Sequence, residues 1–114
     1  LEGIDIAGVP RILLKTGSDP SPDRFPSDFP ALALETAQML IAGGAVLVGI
    51  DTPGVDLLGN LEIPVHKCLA DNDIRWLENL DLSPAADGLY TLVALPLKID
   101  GGDGSPVRAI LLQD

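Results

Sequence analysis

A single histidine, His66, limits the chemistry open to this 114-residue chain. Any Ser/His/Asp or Cys/His catalysis would have to pass through it. The one thiol, Cys68, lies two positions away on a segment that reads as helix. Residues i and i+2 of a helix point in different directions, so the two cannot form a dyad there. No P-loop, paired-cysteine zinc motif or His-Glu-x-x-His run is present. Asp71-Asn72-Asp73 lacks the glycine and distal glutamate of a calcium loop. What remains is His66 with Glu78. An imidazole and a carboxylate together suit zinc or manganese. Glu78 alternates with Ile74 and Trp76 on one strand face, where a carboxylate is costly unless paired, hydrogen-bonded or bound to metal. Two donors fall short of the three or four that a protein zinc site supplies. A lone histidine on an amphipathic helix is also commonly just a hydrogen-bonded or partly exposed residue. Spacing alone leaves both readings open.

The elements that would position this pair can be read from the pattern. Arg11 to Thr16 is a short apolar strand closed by Gly17. Gly17 to Pro30, dense in Ser, Pro and Asp, is a long loop of the kind that is functional or mobile. A helix is expected from about Asp28, with Asp28 as N-cap, Pro30 in the first turn and Ala33, Ala37, Leu40 and Ile41 as its apolar stripe. Gly43-Gly44 should close it. Ala45 to Ile50 is a continuous apolar strand of the doubly buried type. Strand, helix and strand of these lengths imply a parallel βαβ unit. The loop Asp51 to Asn60 then lies at the carboxyl edge of the sheet, where sites of open α/β folds gather.

A second helix is expected over about Leu61 to Asp71, with Asn60 as cap, Pro64 in the first turn and Leu61, Val65, Cys68 and Leu69 buried. Ile74 to Leu80 reads as a strand. His66 then sits ~9 Å before the end of its helix and Glu78 ~13 Å into the strand. A chain that folds back would return both to a similar level. Tyr90 to Leu97 and Val107 to Leu112 read as strands of a hairpin around the turn residues Asp100 to Ser105. The whole is α/β with a mixed sheet.

Composition narrows the function classes. Hydrophobic residues make up 46% of the chain, which suits one compact domain with a real core. Seventeen acids against seven Lys and Arg give a formal net charge of -10, opposite to the basic footprint that nucleic acid or anionic lipid requires. The ordinary role of such charge is solubility. With one cysteine no internal disulfide can form, which fits a reducing cytoplasm. No apolar run approaches the ~20 residues of a membrane span, and no signal peptide is visible. The chain opens on Leu1-Glu2 without Met, which suits a trimmed, processed or partial polypeptide equally.

Several stretches together resemble the bacterial kynurenine formamidases, metal-dependent hydrolases of the cyclase family. VGIDTPGVD, Val48 to Asp56, resembles one of their motifs, with Gly54 where the family usually has Ser. His66 followed by IRWLENLDL, Ile74 to Leu82, resembles the family's histidine and Glu-Asn-Leu segment at the family spacing. LYTLVALPL (Leu89 to Leu97) and GSPVRAIL (Gly104 to Leu111) resemble its closing hairpin, and RILLKT the strand that opens its second half. The resemblance implies that residues 1–114 are the C-terminal part of a swivelling β/β/α domain. It implies a two-metal site, commonly zinc with manganese possible, to which His66 and Glu78 are ligands, Glu78 also able to bridge.

The implied reaction is hydrolysis of N-formylkynurenine to kynurenine and formate, in tryptophan catabolism. A related amide, lactam or ester hydrolase (isatin hydrolase-like) and a non-catalytic assembly fragment are the alternatives. The family's His-x-Gly-Thr-His-x-Asp run and catalytic histidine lie in an N-terminal half absent here, and family chains are roughly twice this length. A catalytic residue is therefore not expected in this chain. The isolated chain is expected to be inactive, and to need that half or a partner subunit, in an oligomer. Among other residues, Asp51 could shape the loop by hydrogen bonds or serve as a turn residue. Gly54 could permit an unusual backbone angle. Trp76 is expected in the core rather than on substrate, Cys68 as a small core residue, and Arg108 as an ion-pair partner.

Overall fold

A computed structural model describes residues 6, 8–19 and 23–113. It contains β1 (Arg11–Leu14), α1 (Leu34–Ala42), β2 (Leu47–Ile50), α2 (Pro64–Asp71), β3 (Arg75–Leu77), β4 (Thr91–Pro96) and β5 (Val107–Leu112). The chain divides into two compact units, Leu1–Pro84 and Ala85–Asp114. Part of the expected loop, residues 20–22, and the opening Leu1-Glu2 lie outside the described residues.

The first unit is a three-stranded parallel sheet in the order β1-β2-β3. Ile12 pairs with Val48 and Val48 with Trp76. Each parallel step is bridged by a helix, as the βαβ pattern requires. The central strand β2 is buried at Val48, Gly49 and Ile50. A Cβ at Gly49 would press into the Leu13 and Leu80 side chains, so the glycine leaves room for these two leucines beside the central strand. The core cluster is made of Ile12, Ala37, Leu40, Ala45, Val48, Ile50, Val55, Val65, Leu69 and Ile74. It lies wholly in this unit, and the apolar stripes of both helices supply it.

Three expected boundaries shift, each for a local reason. The first helix begins at Leu34, not near Asp28. Ala33 is extended (φ -68°, ψ 142°), and Leu32 donates its N–H to the Val55 carbonyl, so this stretch is committed to the 51–60 loop. Asp28 and Pro30 therefore lie upstream of the helix, and Gly43-Gly44 closes it as expected, with Gly44 at φ 86°. The second helix begins at Pro64, its N1 or N2 residue, after Ile63 in the left-handed region at φ 40°. Asn60 does not cap it. Its side-chain oxygen accepts the Glu62 N–H in a turn before the helix, and Leu61 is 91% exposed instead of buried. The third strand ends at Leu77, because Asn79 turns to φ 56° and gives its N–H to the Thr52 carbonyl.

The second unit is the expected hairpin. β4 and β5 pair antiparallel, with Val93 opposite Ile110 and Leu95 opposite Arg108. Parallel and antiparallel pairing both occur, in separate sheets. Arg108 is exposed and takes part in no ion pair among the described residues. Its neighbour across the ladder is a leucine, which offers it no charge. No helix among the described residues is long and apolar enough to cross a membrane.

Candidate functional site

The carboxyl edge of the parallel sheet gathers the polar residues of the first unit. Asp51 follows β2 directly and is only 2% exposed. Its carboxylate accepts the Thr16 N–H (3.0 and 2.9 Å to the two oxygens), the Thr16 hydroxyl (2.8 Å) and the Gly17 N–H (3.0 Å). Asp51 thus ties the end of β1 to the end of β2. This is loop shaping by hydrogen bonds, the first of the two roles expected of it.

From Thr52 to Asp56 the chain wraps over the edge. The Thr52 hydroxyl donates to the Gly54 carbonyl. Gly54 itself is not in the left-handed region. A Cβ there would meet Asp56 and Phe29 at ordinary contact distances of 3.5 to 3.8 Å. The expectation of an unusual backbone angle at Gly54 is therefore overturned, and the glycine leaves room that a serine would fill.

Asp56 was not singled out by sequence reasoning, and it organises the site. One oxygen accepts the Val65 N–H at 3.0 Å, the other the His66 N–H at 2.9 Å and the His66 Nδ1 at 2.7 Å. The first turn of a helix has N–H groups without intrahelical acceptors, and Ile63 has no side chain able to supply one. Asp56 serves from nine residues upstream of Val65. The missed signal was the helix start itself: an apolar residue before Pro64 needs an acceptor from elsewhere. Burial pushes the Asp56 carboxyl up, but hydrogen bonds from the His66 and Val65 backbone and from the imidazole outweigh it. They hold the group below the ordinary value of 3.8.

His66 and Glu78, on α2 and just beyond β3, are brought together. His66 Nε2 lies 3.3 Å from Glu78 Oε1, both side chains being about one-quarter exposed. Glu78 Oε1 also accepts the Val55 N–H at 3.1 Å, so the 51–60 loop grips both partners. The Trp76 ring stands edge-on to the imidazole, 5.4 Å between centroids, while packing against the core as expected. Cys68 is a free, half-buried thiol.

A carboxylate only accepts, so Nδ1 must donate to Asp56. A singly protonated ring then turns the Nε2 lone pair toward Glu78 Oε1, acceptor against acceptor. A metal ion between the two atoms would turn that contact into an attraction. Bonds of ~2.1 Å at a tetrahedral centre separate two donor atoms by ~3.3 to 3.4 Å. The donor set therefore fits one edge of a zinc-type site. Among the described residues no group of three or more His, Cys, Asp or Glu side chains is placed to hold a metal ion. Further ligands would have to come from elsewhere.

No family model matches the chain. It is 42% identical over 111 residues to the kynurenine formamidase of Bacillus cereus, covering 97% of this chain and 53% of that protein. The kynurenine formamidase of Bacillus anthracis matches with the same identity and coverage. A solved structure described as a predicted metal-dependent hydrolase from Bacillus stearothermophilus superposes with a TM-score of 0.71 at 34% identity, over 78% of this chain and 43% of that one. Another, described as a potential metal-dependent hydrolase with cyclase activity, gives 0.67 at 34% identity, over 73% and 41%. The chain thus spans about half the length of the curated relatives it matches.

Proposed function

We propose that this homologue of the kynurenine formamidases is the C-terminal part of a metal-dependent amide hydrolase acting on N-formylkynurenine. The single observation that supports a metal reading best is the 3.3 Å approach of His66 Nε2 to Glu78 Oε1 with Nδ1 already committed to Asp56. On this reading His66 Nε2 and Glu78 would hold the ion, zinc or else manganese. When bound, it would lower the pKa of a water molecule to about 7 and polarise the formyl carbonyl. The water oxygen adds to the formyl carbon, the carbon–nitrogen bond breaks, the proton passes to the leaving arylamine, and formate and kynurenine result.

The chain's own residues orient and anchor the donors. Val55 N–H fixes Glu78, Asp56 fixes His66, and Asp51 holds the neighbouring loop in shape. The proton shuttle and the remaining ligands belong to the other half of the relatives' length, supplied by another segment or a partner subunit in a cytoplasmic oligomer. The test combines this chain with the complementary half of a Bacillus relative. The complex should bind about two metal ions and release formate from N-formylkynurenine. Absence of metal-dependent formate release would refute the proposal.

A second reading draws on the neighbour described as a potential metal-dependent hydrolase with cyclase activity: a related amide, lactam or ester hydrolase acting on another substrate. Preference of the same complex for a lactam over N-formylkynurenine would select it.

A further inference from the structure

Asp56 makes contacts that neither a helix cap nor an ion pair alone would require. Its two oxygens divide the work. One takes the Val65 N–H, while the other takes both the main chain and the ring of His66. Because Asp56 meets the backbone and side chain of one residue, the Cα and the ring of His66 are fixed against the same atom. Trp76 closes the ring from a perpendicular direction. The imidazole therefore has one orientation available to it and one preferred site for its proton.

We propose that Asp56 is a positioning residue for His66, holding the imidazole as the tautomer protonated on Nδ1 so that Nε2 presents a bare lone pair toward Glu78. The tautomer follows from the geometry alone; its use in metal binding rests on the reading of His66 as a ligand. An outer carboxylate of this kind fixes ring orientation and raises the basicity of the ligating nitrogen. The 51–60 loop is then a jig: Val55 sets the carboxylate and Asp56 the imidazole, one residue apart in sequence. The distance between the two donor atoms is set by the backbone of a single dipeptide.

Because His66 is the only histidine, nitrogen-15 spectroscopy of the 114-residue chain reports on it without assignment. At a pH where the ring carries one proton, the wild type should show Nδ1 protonated and Nε2 bare. Asp56→Ala removes the acceptor from Nδ1, so the spectrum should move toward the Nε2-protonated form. In a zinc titration of the complex with the complementary half of a Bacillus relative, with nitrogen-15 in this chain alone and the response followed at the imidazole, this variant should bind roughly 10- to 100-fold more weakly than wild type.

A wild-type ring protonated mainly on Nε2 would overturn the inference, and this measurement stands even if the variant does not fold. A folded Asp56→Ala chain with the wild-type tautomer and unchanged zinc affinity would also overturn it, leaving Asp56 as a helix cap only. The zinc titration tests the underlying reading separately. A wild type with the expected tautomer but no response to zinc in that complex supports the positioning role and counts against His66 as a ligand.

Discussion

Replacing Asp51 by alanine should be one of the most destabilising polar substitutions in the first unit. The side chain is 2% exposed and takes three donors: two backbone N–H groups and one hydroxyl, at 2.8 to 3.0 Å. Hydrogen bonds to a charged acceptor contribute ~1.5 to 3 kcal/mol each, which would suggest ~5 kcal/mol or more. Thr16 and Gly17 are exposed, however, so water can take over their donors once the carboxylate is gone. That reduces the expected loss to ~2 to 3 kcal/mol. With a urea dependence of ~2 kcal/mol per molar, the unfolding midpoint should fall by ~1 to 1.5 M, with little change in slope. Thr16→Val removes only the hydroxyl and should couple to Asp51→Ala by ~1 kcal/mol in a double-mutant cycle. A midpoint shift below ~0.3 M, or fully additive single effects, would refute the tether.

Other expectations follow from the same structure. Leu40→Ala, at a residue with no solvent exposure, should cost ~2 to 5 kcal/mol in urea unfolding. Gly54→Ser should leave the melting temperature within a few degrees, because the added Cβ meets only ordinary contacts. Asp56 titrates lower in the folded than in the unfolded chain. Its contribution is therefore complete above the ordinary value of 3.8 and is lost as pH falls through the lower folded value. Urea midpoints measured from neutral to acidic pH should show this loss in the wild type and less of it in Asp56→Ala.

The order of elements was legible because apolar strands and helices are punctuated here by strong breakers. Gly17, Gly43-Gly44 and the Asp100 to Ser105 turn mark ends that local chemistry alone decides. The helix starts were not legible. At Asp28 and Asn60 good capping residues are present, but tertiary hydrogen bonds to Val55 and local turns claim the backbone first. Glu78 illustrates a different limit. Its nearness to His66 was expected from strand geometry, yet it lies beyond the strand, and the Val55 N–H places it. Asp56 escaped notice because its acceptors' partners are nine and ten residues away, outside the range of local capping rules.

The 51–60 loop has a consequence for backbone dynamics. It contains no regular element, yet its main chain is engaged from several directions. Its Val55 carbonyl holds Leu32, its Thr52 carbonyl holds Asn79, and its Val55 N–H is held by Glu78. Val55 has no solvent exposure. Amide hydrogen exchange at Val55 and Asn79 should therefore be slow, opening only with the sheet, whereas the exposed turn at residues 100–104 should exchange freely. An irregular segment would then share the cooperative unit of the strands, and the His66 and Glu78 donor atoms it positions would keep their spacing for as long as the sheet stays closed.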